Sequence, residues 1–224
     1  MAINYLAQLV ESTSLTNPGV VALTSGCPAG SLVVVALTCK RSGAVGNVNS
    51  VVDSTGNVYT LVEGGWTSNG RPVIAYVRTS VALTTSHTIT VTWNGALTDA
   101  WISAHAFDNA AGTAHDTSVN QATSAAFQVV VDVTGSDWLT FGVFYCPTVS
   151  SDPVVTPVNS SLSRDETTDY FAECFSRNGT TGTTHTIGGT VSVGRAWTGV
   201  AASFLFESSG GQGNARGQKT LIGV

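Results

Sequence analysis

The sequence has few charged residues. Only 10% of its 224 residues are Asp, Glu, Lys or Arg, whereas 42% are hydrophobic. Globular proteins average about 25% charged residues, and a disordered chain combines a high net charge with few hydrophobic residues. The net charge is −5, and the nine Lys and Arg residues form no basic stripe. A nucleic-acid partner requires such a stripe, so the composition argues against DNA or RNA binding.

Long hydrophobic runs and a secretion signal are also lacking. The longest apolar run, residues 32–37, has the length of a strand. A membrane-spanning helix needs about 20 apolar residues. The N-terminal residues 1–11 have no cationic start and carry polar residues where a signal peptide needs an apolar core. We therefore expect no membrane association and a protein made in a cytoplasm.

Cysteine is scarce. The four cysteines form no C-x-x-C pair and are too few for a disulfide-rich scaffold. We expect them to be reduced thiols, mostly buried. They are Cys27, Cys39, Cys146 and Cys174.

The residues that are abundant, Thr, Val, Ser and Gly, are typical of strands and tight turns. The clearest strand pattern is residues 86–93, where apolar and polar side chains alternate without a break. Turn signals separate about a dozen further short strand candidates, and Asp53-Ser-Thr-Gly-Asn57 predicts a tight turn with Gly56 at positive φ. This spacing predicts an all-β sandwich or barrel.

In two segments the side chains that would point to either face of a strand are mostly apolar, which predicts central strands buried on both faces. They are Leu32-Val-Val-Val-Ala-Leu-Thr-Cys39 and Leu139-Thr-Phe-Gly-Val-Phe-Tyr-Cys146, and they indicate a weak internal repeat. Ala100-Trp101 and Ala196-Trp197 extend this repeat, as do the segments that begin at His87 and His185.

The repeat divides the chain into two weakly similar halves of about four strands each. We predict that the two halves form one antiparallel double-sheet jelly-roll sandwich over residues 1–206, followed by a flexible Gly-rich arm over residues 207–224. The alternative is two small domains of about four strands each, but each would bury little surface by itself.

Nearly the whole chain resembles a known group of modules. Its Gly30-Ser-Leu-Val-Val-Val35 strand, the turn segment 51–60, Ile74-Ala-Tyr-Val77, the alternating strand and Ala100-Trp-Ile-Ser-Ala-His-Ala-Phe107 resemble jelly-roll modules of bacteriophage virion proteins and some bacterial surface proteins. The resemblance covers roughly residues 20 to 206. It implies a non-enzymatic virion component, such as a capsid decoration protein or a tail-fibre module, and it carries over no catalytic residues.

Candidate catalytic and metal-binding residues are few. The G-x-S-x-G nucleophile elbow is missing, and the five Glu residues are spread along the chain. His105 and His115, next to Asp108 and Asp116, offer metal-ligand types without a spacing that enforces geometry. We therefore expect no catalytic residue, metal or cofactor. A hydrolase on the same fold is the last of three hypotheses on function, after the two given below.

A glycan is the alternative partner. Sugar sites use exposed aromatic faces with few charges nearby. Trp66 lies in the loop Gly64-Gly-Trp-Thr-Ser-Asn-Gly70 and is the best candidate, whereas Trp93, Trp101, Trp138 and Trp197 fall on strand patterns and are expected in the core. This predicts a carbohydrate-binding module of a tail fibre or a bacterial surface protein as the second hypothesis.

The C-terminal arm ends in a short apolar tip. Leu221, Ile222 and Val224 follow a Gly/Ser/Gln-rich linker, and Arg216 and Lys219 add positive charge there. Such a tip can add a strand or fill a pocket in a neighbouring subunit. The first hypothesis is therefore a capsid decoration protein, located in the virion and homo-oligomeric, that binds the major capsid protein or other virion proteins through sandwich surfaces and this arm.

Overall fold

The computed structural model describes residues 2–12, 15–40, 47–67, 70–95, 99–135, 137–146, 156–158, 162–163, 170–177 and 182–207. These residues form strands and no helix, which confirms the predicted all-β class, and none of them belongs to a helix that could cross a membrane. The strands are β1 (Asn4–Ser12), β2 (Gly19–Ala22), β3 (Leu32–Lys40), β4 (Val48–Asp53), β5 (Thr60–Glu63), β6 (Gly70–Arg78), β7 (Thr88–Trp93), β8 (Asp99–Asp108), β9 (Asp116–Gly135), β10 (Trp138–Cys146), β11 (Thr156–Val158), β12 (Leu162–Ser163), β13 (Tyr170–Arg177) and β14 (Gly182–Leu205).

The strands form three sheets in which all recorded pairs are antiparallel. The inner sheet has the order β1-β8-β3-β6-β5, and the outer sheet has the order β2-β7-β4. The C-terminal sheet has the order β11-β14-β10-β13-β12, with β9 paired to β14. Layered antiparallel sheets of this kind are compatible with a β-sandwich.

The C-terminal sheet is bent into two layers. The long strands β9 and β14 pair along almost their whole length, with an irregularity between Thr190 and Arg195. Beyond this bend the ribbon folds back over the sheet, so that Phe127 of β9 packs edge-on against Phe144 of β10 at a ring distance of 5.0 Å. The Ser203 hydroxyl donates to the carbonyl oxygen of Asp132 across the two layers. The sequence pattern predicts two strands here, at 183–193 and 197–206, and the structure joins them into the single bent strand β14.

Both halves of the chain have the same order of strands. In the first half β1 pairs with β8, β2 with β7 and β3 with β6, and an isolated bridge joins Val52 of β4 to Val58, which precedes β5. In the second half the two parts of β9 pair with the two parts of β14, and β10 pairs with β13. The repeat detected in the sequence is thus a repeat of strand connectivity.

The predicted central strands β3 and β10 lie in the middle of this arrangement and are buried along almost their entire length. Val33, Val35 and Leu37 of β3 face the outer sheet, and the alternate residues Val34 and Ala36 face the C-terminal sheet. A third apolar cluster fills the space between the two layers of the C-terminal sheet. Each half therefore has its own core, and the cluster that contains Val34 and Ala36 joins the two halves.

The hydrogen-bonding register corrects one detail of the predicted repeat. The sequence aligned Trp101 with Trp197. In the structure Trp101 pairs with Thr38 of β3, and the equivalent position opposite Tyr145 of β10 is Thr198. A shift of one residue turns a side chain to the other face of a sheet. Accordingly Trp101 lies in the core between the halves, whereas Trp197 lies in the core of the C-terminal half.

Candidate functional site

The most distinctive site lies in the core between the inner sheet and the C-terminal sheet. Two aromatic pairs hold these sheets together. Tyr76 of β6 meets Phe204 of β14 at a ring distance of 5.1 Å and an angle of 78°, and Phe107 of β8 meets Phe175 of β13 at 5.2 Å and 85°. Exchanging the two halves converts one pair into the other, because Tyr76 and Phe175 occupy equivalent positions, as do Phe107 and Phe204. The interface is therefore pseudo-symmetric.

One end of this interface contains a polar cluster, which we define as Ser103, His105 and Glu173. The Ser103 hydroxyl donates to Oε1 of Glu173 at 3.0 Å. Nε2 of His105 lies 3.0 Å from the same oxygen and 2.8 Å from Oγ of Ser103. All three residues have 0% exposure. Because Nε2 faces two oxygens and the hydroxyl proton goes to the carboxylate, Nε2 carries a proton and donates.

The cluster joins two strands that are distant in the sequence. Ser103 and His105 lie on β8, and both side chains face the C-terminal sheet because they are two residues apart in a strand. Glu173 comes from β13 of the other half, where Val143 of β10 is its paired neighbour. A carboxylate from one half thus accepts two hydrogen bonds from the other.

Strand β1 encloses the cluster on the side of the sheet edge. Nε2 of Gln8 donates to Oγ of Ser103 at 3.2 Å and to Glu11 at 3.3 Å. The Tyr5 hydroxyl lies 3.4 Å from Nδ1 of His105. The rings of Phe141 and Phe175 contact the imidazole from the C-terminal sheet. Oγ of Ser103, Nε2 of His105 and Oε1 of Glu173 are therefore bonded to one another beside aromatic rings, as buried polar groups require.

This geometry differs from a Ser-His-acid catalytic triad. In a triad the serine and the acid bind opposite nitrogens of the imidazole, so that the acid orients the base. Here Ser103 and Glu173 both bind Nε2, and Nδ1 faces Tyr5. All three side chains are fully buried, so a substrate has no access to the serine oxygen. The arrangement suits attachment of one half to the other.

The equivalent positions at the opposite end of the interface are apolar. Ser103 corresponds to Val200, and His105 corresponds to Ala202, because each pair occupies the same place beside β3 and β10. Glu173 corresponds by the same comparison to Ile74. Val200, Ala202 and Ile74 all belong to the core between the halves and have 0% exposure. We call these three residues the apolar end.

Trp66, the predicted glycan candidate, is an exposed aromatic side chain with 55% exposure. Its loop follows β5 and approaches the other half closely. A Cβ atom at Gly65 would lie 2.7 Å from Oε1 of Gln121 and 3.0 Å from Oγ1 of Thr198, and one at Gly70 would overlap the ring of Tyr145. Glycine at these two positions lets the loop bring Trp66 to the junction of the halves. The other four tryptophans are buried, as predicted.

The histidines that suggested a metal site are not brought together. His105 belongs to the polar cluster, whereas Nε2 of His115 lies 3.2 Å from Oγ1 of Thr134. Asp116 accepts a hydrogen bond from the backbone of Asp132. Within the described parts of the chain, no group of three or more His, Cys, Asp or Glu residues could hold a metal ion.

His185 lies between the two layers of the C-terminal sheet. Its Nδ1 is 3.0 Å from the Thr140 hydroxyl, and its ring is 4.4 Å from that of Trp138. Burial lowers the pKa of His185 because the charged imidazolium is poorly solvated there. His87, which immediately precedes β7, accepts a hydrogen bond at Nδ1 from the backbone of Thr84.

The predicted turn at Asp53 is confirmed and is closed by side-chain hydrogen bonds. Oδ1 of Asp53 accepts from the backbone amides of Thr55 and Asn57, and Gly56 has a φ of 92°. Burial alone would raise the pKa of Asp53, but hydrogen bonds from Thr55 and Asn57 outweigh it and hold the pKa below its usual value. These bonds saturate the carboxylate, so it is a turn-forming group.

All four cysteines are buried, as predicted. Burial raises the pKa of Cys39 to about 12, so this side chain is a thiol at neutral pH. The predicted arm residues Arg216, Lys219, Leu221, Ile222 and Val224 lie outside the described residues.

Comparison of the chain with models of protein families, with curated proteins and with solved structures finds no match. The polar cluster itself was not predicted from the sequence. Its signal is the pair Ser103 and His105 on the same strand face as Trp101 and Phe107, because polar residues on an apolar face need a buried partner.

Proposed function

We propose that the protein is a non-enzymatic structural component of a bacteriophage virion, a capsid decoration protein that binds the outside of the head. The observation that carries the proposal is the nested pairing of strands in the first half, where β1 pairs with β8, β2 with β7 and β3 with β6. The same nesting recurs in the second half, where the two parts of β9 pair with the two parts of β14, and β10 pairs with β13. This nesting is the strand order of a jelly roll, and we assign a jelly-roll fold to each half on that basis. Jelly rolls are frequent in viral capsid and lectin domains.

The surface of β9 supports a binding role. Residues 117–131 contain no Asp, Glu, Lys, Arg or Pro, and Val119 and Val130 are exposed. Among the described strands, only β14 pairs with β9, so the other side of β9 is an edge. An uncharged edge strand can be covered by a partner at little desolvation cost. The partner proposed is the major capsid protein or another virion protein, with further copies of this chain as neighbours.

The test is to locate the protein on purified particles by electron microscopy with a specific antibody. Regular labelling over the head surface supports the decoration role, labelling of the tail transfers the protein to a fibre or spike, and absence from particles contradicts the proposal. Removing residues 208–224 then tests the predicted arm. Weaker binding to particles at an unchanged melting temperature is expected if the arm contacts the shell.

The exposure of Trp66 favours a second candidate, a carbohydrate-binding module. Aromatic faces at a surface are the usual platform for sugar rings, and Trp66 stands at the junction of the two halves. Binding to a glycan array that is lost in Trp66→Ala would support this candidate. Val58→Ala is the matched control, because Val58 is also exposed and apolar but lies on another turn. Loss of binding in both variants would instead indicate general damage to the surface.

A further inference from the structure

The pseudo-symmetry of the interface raises a problem of partner choice. Both apposed sheets have the same strand order, and the aromatic pairs Tyr76–Phe204 and Phe107–Phe175 exchange when the halves exchange. Apolar packing is not directional, and a face that fits its pseudo-symmetric counterpart also approximately fits a second copy of itself. Two inner sheets from different copies of the chain could therefore pair by apolar packing alone.

The polar cluster distinguishes the correct pairing from these alternatives. In the native interface, Glu173 accepts hydrogen bonds from Ser103 and His105. If two inner sheets paired, Ser103 and His105 of each would face Ile74 of the other, by the positional equivalence described above. A pair of two C-terminal sheets would place Glu173 against Val200 and Ala202. In the first pairing Ser103 and His105 lose their carboxylate acceptor, and in the second Glu173 loses both donors. Losing these bonds inside a buried interface is costly.

We propose that Ser103, His105 and Glu173 select the pairing partner of the inner sheet, so that it accepts the C-terminal half of this chain and rejects a second inner sheet. The cluster supplies hydrogen bonds between the sheets in the native pairing and loses them in the others, which is how a buried polar residue fixes partner choice in other assemblies. The apolar end supplies packing that all the pairings share. This inference is independent of the proposed role in a virion.

The test uses the full chain and replaces the cluster with the residues found at the apolar end. The triple variant S103V/H105A/E173I is unfolded in urea and refolded over a range of protein concentrations. The mass distribution is then measured by light scattering after size exclusion. The control is I74V/V200I, which alters packing at the apolar end without changing polarity.

The wild-type protein and the control are expected to return to their original mass distribution at every concentration. The triple variant is expected to form higher-mass species whose share rises with concentration and exceeds that of the wild type by about tenfold, which corresponds to about 1.4 kcal/mol of lost discrimination. The proposal is overturned if the triple variant refolds like the wild type at all concentrations. It is also overturned if the control forms higher-mass species to the same extent.

A relocated cluster provides a second, independent test. The variant S103V/H105A/E173I/I74E/V200S/A202H moves the same three side chains to the opposite end, where the positional equivalence predicts that they again meet across the interface. Return to the wild-type mass distribution supports the proposal, even if the triple variant does not fold. Failure of the relocated variant to fold or to regain that distribution contradicts it.

Discussion

The two ends of the interface between the halves have the same strand geometry and opposite chemistry. At one end Ser103 and His105 each bind Oε1 of Glu173 through a hydrogen bond of 3.0 Å. At the other end the equivalent residues are apolar and fully buried. Since the backbone arrangement is repeated, the difference between the ends is due to side chains alone.

This difference separates stability from specificity. Apolar side chains stabilise any arrangement that removes them from water, and their contribution scales with the buried area. A buried carboxylate stabilises the fold only where donors meet it, and elsewhere it is destabilising. The apolar end therefore stabilises any pairing that buries it. The polar cluster stabilises only the pairing that brings Glu173 to Ser103 and His105.

The largest expected effect comes from placing a carboxylate at the apolar end. Ile74→Glu would put a charged group opposite Val200 and Ala202, which offer no side-chain donor. We expect a loss of about 3–5 kcal/mol in the free energy of unfolding, measured in urea. Ile74→Val is the matched control and should cost about 0.5–1.5 kcal/mol. A loss below about 1 kcal/mol for Ile74→Glu would mean that the position is not buried between the sheets.

A smaller effect is expected where the loop of the inner sheet approaches the C-terminal half. In Gly70→Ala the new methyl group would overlap the ring of Tyr145, and we expect a loss of about 1–3 kcal/mol. Gly194→Ala is a control, since a Cβ there lies at 3.4 Å from its nearest neighbours. Equal melting temperatures for the two variants would show that this approach is looser than described.

The aromatic pairs allow a direct comparison of the two ends. Phe204→Leu and Phe107→Leu each remove one ring from equivalent contacts, and each should cost about 1 kcal/mol. Phe107 also contacts Tyr5 and Phe141, so its replacement should cost at least as much as that of Phe204. The measurement is the unfolding midpoint in urea. A larger loss for Phe204→Leu would contradict the described difference between the ends.

The smallest expected effect is on the stability at acidic pH. It concerns His185, which lies in the C-terminal half and outside the interface between the halves. Because burial lowers the pKa of His185, the unfolded chain binds this proton more tightly than the folded protein. The stability contributed by the neutral ring is therefore present above the unfolded value of 6.5 and is lost as the pH falls through it. His185→Asn should reduce the fall in melting temperature between about pH 7.5 and 5. An unchanged slope would assign that fall to other groups.

Much of the fold could be predicted from local patterns. The central strands were found because Leu32–Lys40 and Trp138–Cys146 lack the alternation of half-buried strands. The turn at Asp53 was found because Asp, Gly and Asn at that spacing close a turn by side-chain bonds. The exposure of Trp66 followed from its Gly-rich loop. Each of these features depends on residues close together in the sequence.

The candidate site could not be predicted in the same way. Glu173 and His105 are far apart in the sequence, and their contact depends on which faces of two sheets are apposed. The alignment of Trp101 with Trp197 missed that relation by one residue, and a one-residue error exchanges the faces of a strand. Single-sequence patterns determine periodicity well, but they leave the register between distant strands undetermined.

The most direct test of the account is the coupling free energy between His105 and Glu173 in a double-mutant cycle of His105→Ala and Glu173→Ala, measured by urea unfolding. We expect a coupling above about 1.5 kcal/mol, because each residue is a hydrogen-bond partner of the other inside the interface. The corresponding cycle of Ile74→Ala and Val200→Ala, at the apolar end, should give a smaller value. Additivity within about 0.5 kcal/mol for His105 and Glu173 would contradict the account.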